Sequence, residues 1–313
     1  MTLKECIIYY VMPDEKEKDV AEAVYGAGLD GIERMTYGTA PAYNPFPHLT
    51  IGAHLRFWPY WVDFCQGNEE RYRLQFPDKK SLIAYYGAST PEGWIDTIRK
   101  NVRSALAENP EYIVWHIADC RIDEAWTEDY YHSSKEVLRE SARIYSAIYK
   151  DIPEHVYVLF ENVFWPGLRD MLPEEVDYFF SLLPGRNTGI MLDTGHYMSA
   201  CPFLKSEEEG ADQLCRMVKN LGSLKSLIKG IHLSCSLPGE YRRTMPRALP
   251  DPINMEIIMK HITSLDQHRP FRTHALRRMV DAVNPQYITH ELFSPTGGLP
   301  ENALRIQRKA LGK

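Results

Sequence analysis

The sequence predicts an α/β protein, a single (β/α)8 TIM barrel domain spanning residues 1–313. Three observations predict it. Eight short apolar runs of strand length alternate with segments whose apolar residues recur at helical spacing. No linker or shift in composition divides the 313 residues, a length that one large core can fill. The apolar runs also end repeatedly in a side chain of the metal-ligand or acid–base type. In a barrel of this class all the carboxyl ends of the strands open on one face, so residues at those ends meet although they lie far apart in the chain.

The first strand covers 6–11, is rich in β-branched and aromatic residues, and stops at Met12-Pro13-Asp14. Residues 15–27 follow as a helix through Val20, Ala23, Val24 and Ala27, closed by Gly28. A second short strand begins at Leu29 and ends at Glu33. A long loop at about 37–48 leads to the third strand, 50–55, which carries His54. The aromatic run Phe57-Trp58-Pro59-Tyr60-Trp61 opens a second long loop, about 57–90, in which 66–88 reads as polar and irregular. Such a run suits a pocket wall, a lid or core packing equally.

Helical periodicity returns over 91–108 through Trp94, Ile98, Val102 and Leu106, and Asn109-Pro110 breaks it before the fourth strand, 112–116, which ends in His116. A polar loop, 119–132, precedes a helix over 133–150 capped by Ser133 or Ser134. The fifth strand, 156–161, ends in Glu161. A helix over 173–183 has Pro173 at its start. The sixth strand, 189–193, ends in Asp193 within Gly189-Ile190-Met191-Leu192-Asp193-Thr194-Gly195-His196, and a helix over 207–221 follows. The seventh strand, 228–233, carries His232. An Arg- and Pro-rich excursion at about 234–254, a short helix over 255–263 and the turn Asp266-Gln267-His268 then precede a helix over 273–283. The eighth strand, 287–292, holds Glu291, and a helix over 301–311 ends the chain.

Composition narrows the function classes. No apolar run is long enough to cross a bilayer, and the amino terminus lacks the pattern of a secretory signal, so a cytoplasmic protein with no membrane partner is expected. The six cysteines, Cys6, Cys65, Cys120, Cys201, Cys215 and Cys235, include no close pair, which argues against a disulfide framework or a thiolate zinc cage. A net charge of −6 gives no global attraction to nucleic acid. The one basic track available to a phosphate backbone is Arg242, Arg243, Arg247, Arg269 and Arg272. A homo-oligomer is compatible with everything in the sequence.

The strand ends supply the candidate site. His54, His116, Glu161, Asp193, His232 and Glu291 ring the expected barrel mouth, with His196 just beyond strand six and Asp266 and His268 in the loops after strand seven. Clustered carboxylates repel one another, clustered imidazoles are costly to bury, and a divalent cation resolves both. The donors are all nitrogen and oxygen, which suits zinc, manganese, cobalt or magnesium without separating them. Glu161, Asp193, His232 and Glu291 make the most economical ligand set. For each of the others a hydrogen-bonded core or loop role is an equal alternative.

The order of Phe160-Glu161-Asn162, Leu192-Asp193-Thr194-Gly195-His196, Ile231-His232-Leu233, Asp266-Gln267-His268 and Glu291-Leu292 resembles that of the xylose isomerase-like TIM-barrel superfamily, which includes sugar isomerases and epimerases and the endonuclease IV type of abasic-site endonuclease. The isomerase and epimerase branch implies one divalent metal on Glu161, Asp193, His232 and Glu291. There Glu161 and Glu291 also move protons of an open-chain sugar, sugar acid or polyol through an enediolate. His196, His54, His116, Arg56 and Arg242 are then substrate contacts. The endonuclease branch implies a trinuclear zinc site and matches nine positions, adding His54, His116, His196, Asp266 and His268 as ligands. Two departures from that branch, Ser234-Cys235 after His232-Leu233 and the long separation of Asp266 from His232, predict an incomplete third metal site; the segments around His54 and His116 also lack its flanking motifs. The leading expectation is therefore a metal-dependent sugar isomerase or epimerase. A zinc phosphodiesterase acting on abasic DNA is the alternative, followed by a sugar dehydratase or a silent sugar-binding barrel.

Overall fold

The computed structural model describes residues 3–39, 44–185, 187–294 and 298–313. Eight parallel strands follow one another around a closed barrel: β1 Lys4–Tyr9, β2 Gly31–Thr36, β3 Thr50–Leu55, β4 Tyr112–Ile117, β5 Tyr157–Asn162, β6 Thr188–Asp193, β7 Ile228–Leu233 and β8 Tyr287–His290. Their near-continuous apolar sequence has a physical cause: one face fills the barrel and the other packs under helices, so neither meets water. Inside, Cys6, Ile51, Tyr112, Val114, Leu159, Met191 and Tyr287 form a compact core. Gly52 is required there, because a Cβ at that position would stand 2.2–2.5 Å from the Tyr112 ring.

The helices against the barrel are α1 Glu17–Gly26, α2 Pro91–Leu106, α3 Ser134–Ile148, α4 Pro173–Leu182, α5 Glu207–Asn220, α6 Ala275–Val283 and α7 Glu301–Ala310. Local chemistry starts them. Thr90, Ser133 and Ser206 each accept a backbone N–H of the first turn, at 3.2, 3.3 and 3.2 Å. Trp94, Ile98, Val102 and Ala105 give α2 its buried stripe. No helix joins β2 to β3 among the described residues, and part of that expected loop, 40–43, lies outside them.

Four expectations are corrected. The stretch 66–88 is not irregular: it holds the helices Glu69–Gln75 and Lys79–Tyr86, the second with a capping box at Asp78 and Ser81. Tyr72, Phe76, Leu82 and Tyr86 are its buried residues, too few per turn to stand out from the charged residues between them. The excursion after β7 contains the helix Gly239–Thr244, and the loop after β4 the turn of helix Glu124–Thr127. Strand eight ends at His290, although the Glu291 N–H still donates to the Leu233 carbonyl at 3.2 Å. No described helix is long and apolar enough to cross a membrane.

Candidate metal centre

Strand register assembles the site. Glu161 lies opposite His116 across β4 and β5, and Asp193 opposite His232 across β6 and β7. All nine predicted ligand-type residues converge at the mouth as three groups: His54, His116 and Glu161; Glu161, Asp193, His232 and Glu291; and His196, Asp266 and His268. Glu161 belongs to two of them. Its Oε2 faces His54 Nε2 at 3.1 Å and His116 Nε2 at 3.4 Å, while Oε1 faces His232 Nδ1 at 3.2 Å and His196 Nδ1 at 3.3 Å.

The third group overturns the expectation of an incomplete loop. His196 Nε2 stands 3.2 Å and His268 Nε2 2.7 Å from Asp266 Oδ2. The helices Gly239–Thr244 and Met255–Leu265 carry the chain out and back, so sequence separation does not become spatial separation. Ser236, just beyond the divergent Ser234-Cys235 pair, donates to Asp266 Oδ1 at 3.1 Å and fixes the carboxylate.

The outer atoms of these side chains are committed, which aims the inner ones. His54 Nδ1 donates to the Leu55 carbonyl at 2.9 Å and His196 Nδ1 to the Asn162 carbonyl at 2.9 Å. His232 Nε2 donates to Glu33, its nitrogen 2.9 and 3.0 Å from the two oxygens. Asp193 Oδ1 accepts the His196 N–H at 2.5 Å, capping the helix Thr194–Ser199, so the capping role coexists with a ligand role for Oδ2. What remains is a set of buried atoms without a hydrogen-bond partner: Glu161 Oε1, Asp193 Oδ2, His232 Nδ1 and Glu291 Oε2. Four unpaired donor atoms of nitrogen and oxygen, all within 4.8 Å of one another, fit a divalent cation, and leaving them bare is costly.

The electrostatics agree. Burial opposes the ionisation of Glu161, yet His116, His232 and His196 hold its carboxyl well below the usual range; at neutral pH the charged pair His232 and His196 does this, since burial drops His116 to about 3. Burial and the neighbouring Glu291 and Glu161 push Asp193 well up. His232 and His196 are raised well above the ordinary imidazole value against the penalty of burial, the first chiefly by Glu33 and Glu161 and the second by Asp193 and Asp266. His268 rises to about 9, where Asp266 and Glu291 outweigh burial.

Aromatic residues close over the cluster. Phe57 stacks on His116 at 4.3 Å and on Trp165 at 6.1 Å, and Phe164 meets the His196 ring edge-on at 5.5 Å. Phe57 is thus the wall residue of its run, while Trp58, Tyr60 and Trp61 are buried in the outer core. The two predicted substrate arginines are engaged elsewhere. Arg56 lies over the Trp58 ring and donates to the Tyr85 carbonyl at 3.2 Å. Arg242 is buried, ion-paired with Glu128 and 3.3 Å from Ser199 Oγ. Arg247 shares Glu128, and Arg243 reaches Glu240 at 3.5 Å, so three of the five arginines of the basic track carry a carboxylate partner.

Sequence reasoning places Glu33 at a strand end and gives it no role. It lies inside β2, fully buried and bonded to His232. Asn162 enters the sequence argument only as part of a motif. Its side chain exchanges two hydrogen bonds with the Asp193 backbone, at 2.9 and 3.0 Å, and ties β5 to β6 beneath the site.

The fold and the site define a (β/α)8 barrel with a nitrogen–oxygen ligand cluster at its mouth. No protein-family model matches the sequence, and no curated protein matches it. Solved structures do match. Endonuclease IV from Thermus thermophilus aligns with a TM-score of 0.58 at 13% identity, covering 99% of each chain. A D-tagatose 3-epimerase-like protein aligns with a TM-score of 0.54 at 14% identity, covering 99% of this chain and 97% of the other. Mannonate dehydratase from Streptococcus suis serotype2 aligns with a TM-score of 0.52 at 12% identity, covering 99% and 92%. These structures and this chain share the (β/α)8 barrel fold.

Proposed function

We propose that the protein is a divalent-metal-dependent phosphodiesterase with a multinuclear centre, abasic DNA being the first substrate to test. One observation carries this reading beyond the isomerase expectation: all nine ligand-type residues meet as three adjacent groups, two of them sharing Glu161. A single cation on Glu161, Asp193, His232 and Glu291 would leave the other two groups, His54 and His116 on Glu161 Oε2 and His196, Asp266 and His268, without a metal. Bound cations would supply positive charge to the oxygens of a phosphoryl group and acidify an attacking water. The chain's own part is to hold Glu161 between two histidine pairs, to present the half-buried His268 toward solvent, and to exclude bulk water with Phe57, Phe164 and Trp165. The name of the endonuclease neighbour points the same way.

The second reading, a sugar isomerase or epimerase, is favoured by a different observation. The four unpartnered atoms of Glu161, Asp193, His232 and Glu291 could hold one cation by themselves, and its two glutamates would abstract and return a proton. Metal-reconstituted protein is incubated with an abasic-site duplex and, separately, with a panel of keto sugars. Strand cleavage that disappears in Glu161→Gln supports the phosphodiesterase; sugar interconversion without cleavage replaces it with the isomerase.

A further inference from the structure

We infer that Glu33 is a positioning residue of the metal centre, the buried carboxylate that selects the ligating nitrogen of His232. The inference rests on the reading of Glu161, Asp193, His232 and Glu291 as metal ligands. Glu33 has no exposed surface, and one of its oxygens gathers three donors: His232 Nε2 at 3.0 Å, the Tyr112 hydroxyl at 2.8 Å and Thr289 Oγ1 at 3.1 Å. Those three donors offset the burial of Oε2, while Oε1 has no hydrogen-bond partner of its own and lies 2.9 Å from His232 Nε2. Each donor comes from a different strand, β7, β4 and β8, so the carboxylate is fixed by the barrel and not by a loop.

The consequence falls on His232. With Nε2–H bonded to Glu33, the imidazole turns Nδ1, the nitrogen left for a metal once its proton is displaced, toward Glu161 Oε1 at 3.2 Å and Glu291 Oε2 at 3.4 Å. A ligating histidine whose second nitrogen donates to a carboxylate is oriented, held in one tautomer and made a stronger donor. The contact between Glu33 and His232 is a hydrogen bond, made to the oxygen that also accepts from the Tyr112 and Thr289 hydroxyls. The space for the supporting tyrosine is itself built in, because any Cβ on Gly52 would collide with the Tyr112 ring.

Glu33→Gln keeps the shape and an acceptor oxygen but removes the charge, and Glu33→Ala removes both. Cobalt(II) and zinc(II) affinities of the metal-free full-length protein and both variants are measured by competition with a chromophoric chelator, with circular dichroism as the check on folding. Loss of the outer partner of a ligating histidine weakens binding ~10–100-fold, and that is the expected change for Glu33→Gln, with Glu33→Ala at least as weak. Proton NMR of the metal-free wild type should show a slowly exchanging Nε2–H of His232 that Glu33→Ala loses. Folded Glu33→Gln that binds both metals as tightly as wild type overturns the inference while leaving the metal centre standing. Wild-type protein that binds neither metal overturns the metal reading itself.

Discussion

Replacement of His268 by alanine separates one metal from several. His268 contributes only to the group it forms with His196 and Asp266, and none of the other groups at the mouth includes any of these three residues. The substitution should therefore remove one metal per chain and leave the rest. Its effect on the metal-free protein follows from the pair with Asp266, 2.7 Å away. The His268 pKa rises from 6.5 to about 9, as the carboxylates of Asp266 and Glu291 outweigh burial. A rise of that size corresponds to about 3 kcal/mol, which the partial exposure of the side chain reduces to about 1–2 kcal/mol. Because the folded-state value is the higher one, this stabilisation is complete below about pH 6.5 and fades as the pH rises through about 9. Asp266 keeps His196 and Ser236 as donors, so the variant should still fold. Elemental analysis of protein purified without added metal gives the stoichiometry, and urea unfolding of the metal-free form at pH 6 and pH 10 gives the stability difference. Equal metal content in wild type and variant would refute the assignment of His268 as a ligand. A stability difference that is the same at both pH values would refute its charged pairing with Asp266.

Glu161→Gln should abolish turnover and deplete both metal groups that share the residue, whereas Glu291→Gln should abolish turnover and deplete one; full activity in either variant, with elemental analysis alongside, removes that glutamate from the site. Gly195→Ala should cost about 1–3 kcal/mol in urea unfolding, because the new Cβ would stand 2.3 Å from Ser234 Oγ, and an unchanged midpoint would contradict that packing. Metal uptake should release protons, since burial raises Asp193 and carboxylate neighbours raise His196 and His232, so all three hold their protons to higher pH and affinity climbs as pH rises. Calorimetric titration in buffers of different ionisation enthalpy reads the proton count, and a count of zero at pH 7 would exclude this protonated resting state.

The eight strands are legible because strands buried on both faces are written as short apolar runs between Pro, Gly and Asn breaks, as at Asn109-Pro110 before β4. The candidate ligand positions are legible for a related reason: Glu161, Asp193 and His232 interrupt apolar sequence at the very place where a strand delivers its side chain to the mouth. Glu33 is hidden because the apolar run after it is weak. Arg34 and Thr36 disguise the rest of β2, so an inward residue in mid-strand looks terminal. The acidic residue directly after Ile32 and two before Met35, on the same strand face as Met35, is the available signal. Asp266 and His268 stand out as ligand types, yet their distance from His232 along the chain predicts failure, because nothing in a linear pattern shows that two intervening helices return the chain to its starting point. Arg56 and Arg242 illustrate the opposite limit. An arginine near a site in sequence has a long side chain and many acceptors to choose from, and here a carbonyl, an indole face and Glu128 take them.

The three ligand groups differ in how firmly the fold holds them. In the two groups that share Glu161, the inner atoms come from β3, β4, β5, β6, β7 and the residue after β8, and the outer nitrogens of His54 and His232 are fixed by the Leu55 carbonyl and by Glu33. Sheet hydrogen bonding therefore sets their geometry directly. The third group hangs on Asp266 and His268, both in the connection after β7, with His268 half-exposed and at a positive φ of 44°. A ligand set on such a connection lies at the less stable end of local opening free energies, whereas a set built on central strands opens only with the barrel. The metal on His196, Asp266 and His268 should be the first lost to a chelator, with Glu161 and its partners retaining theirs; in the multinuclear reading this graded release distinguishes one barrel-borne core from the loop-borne site added to it.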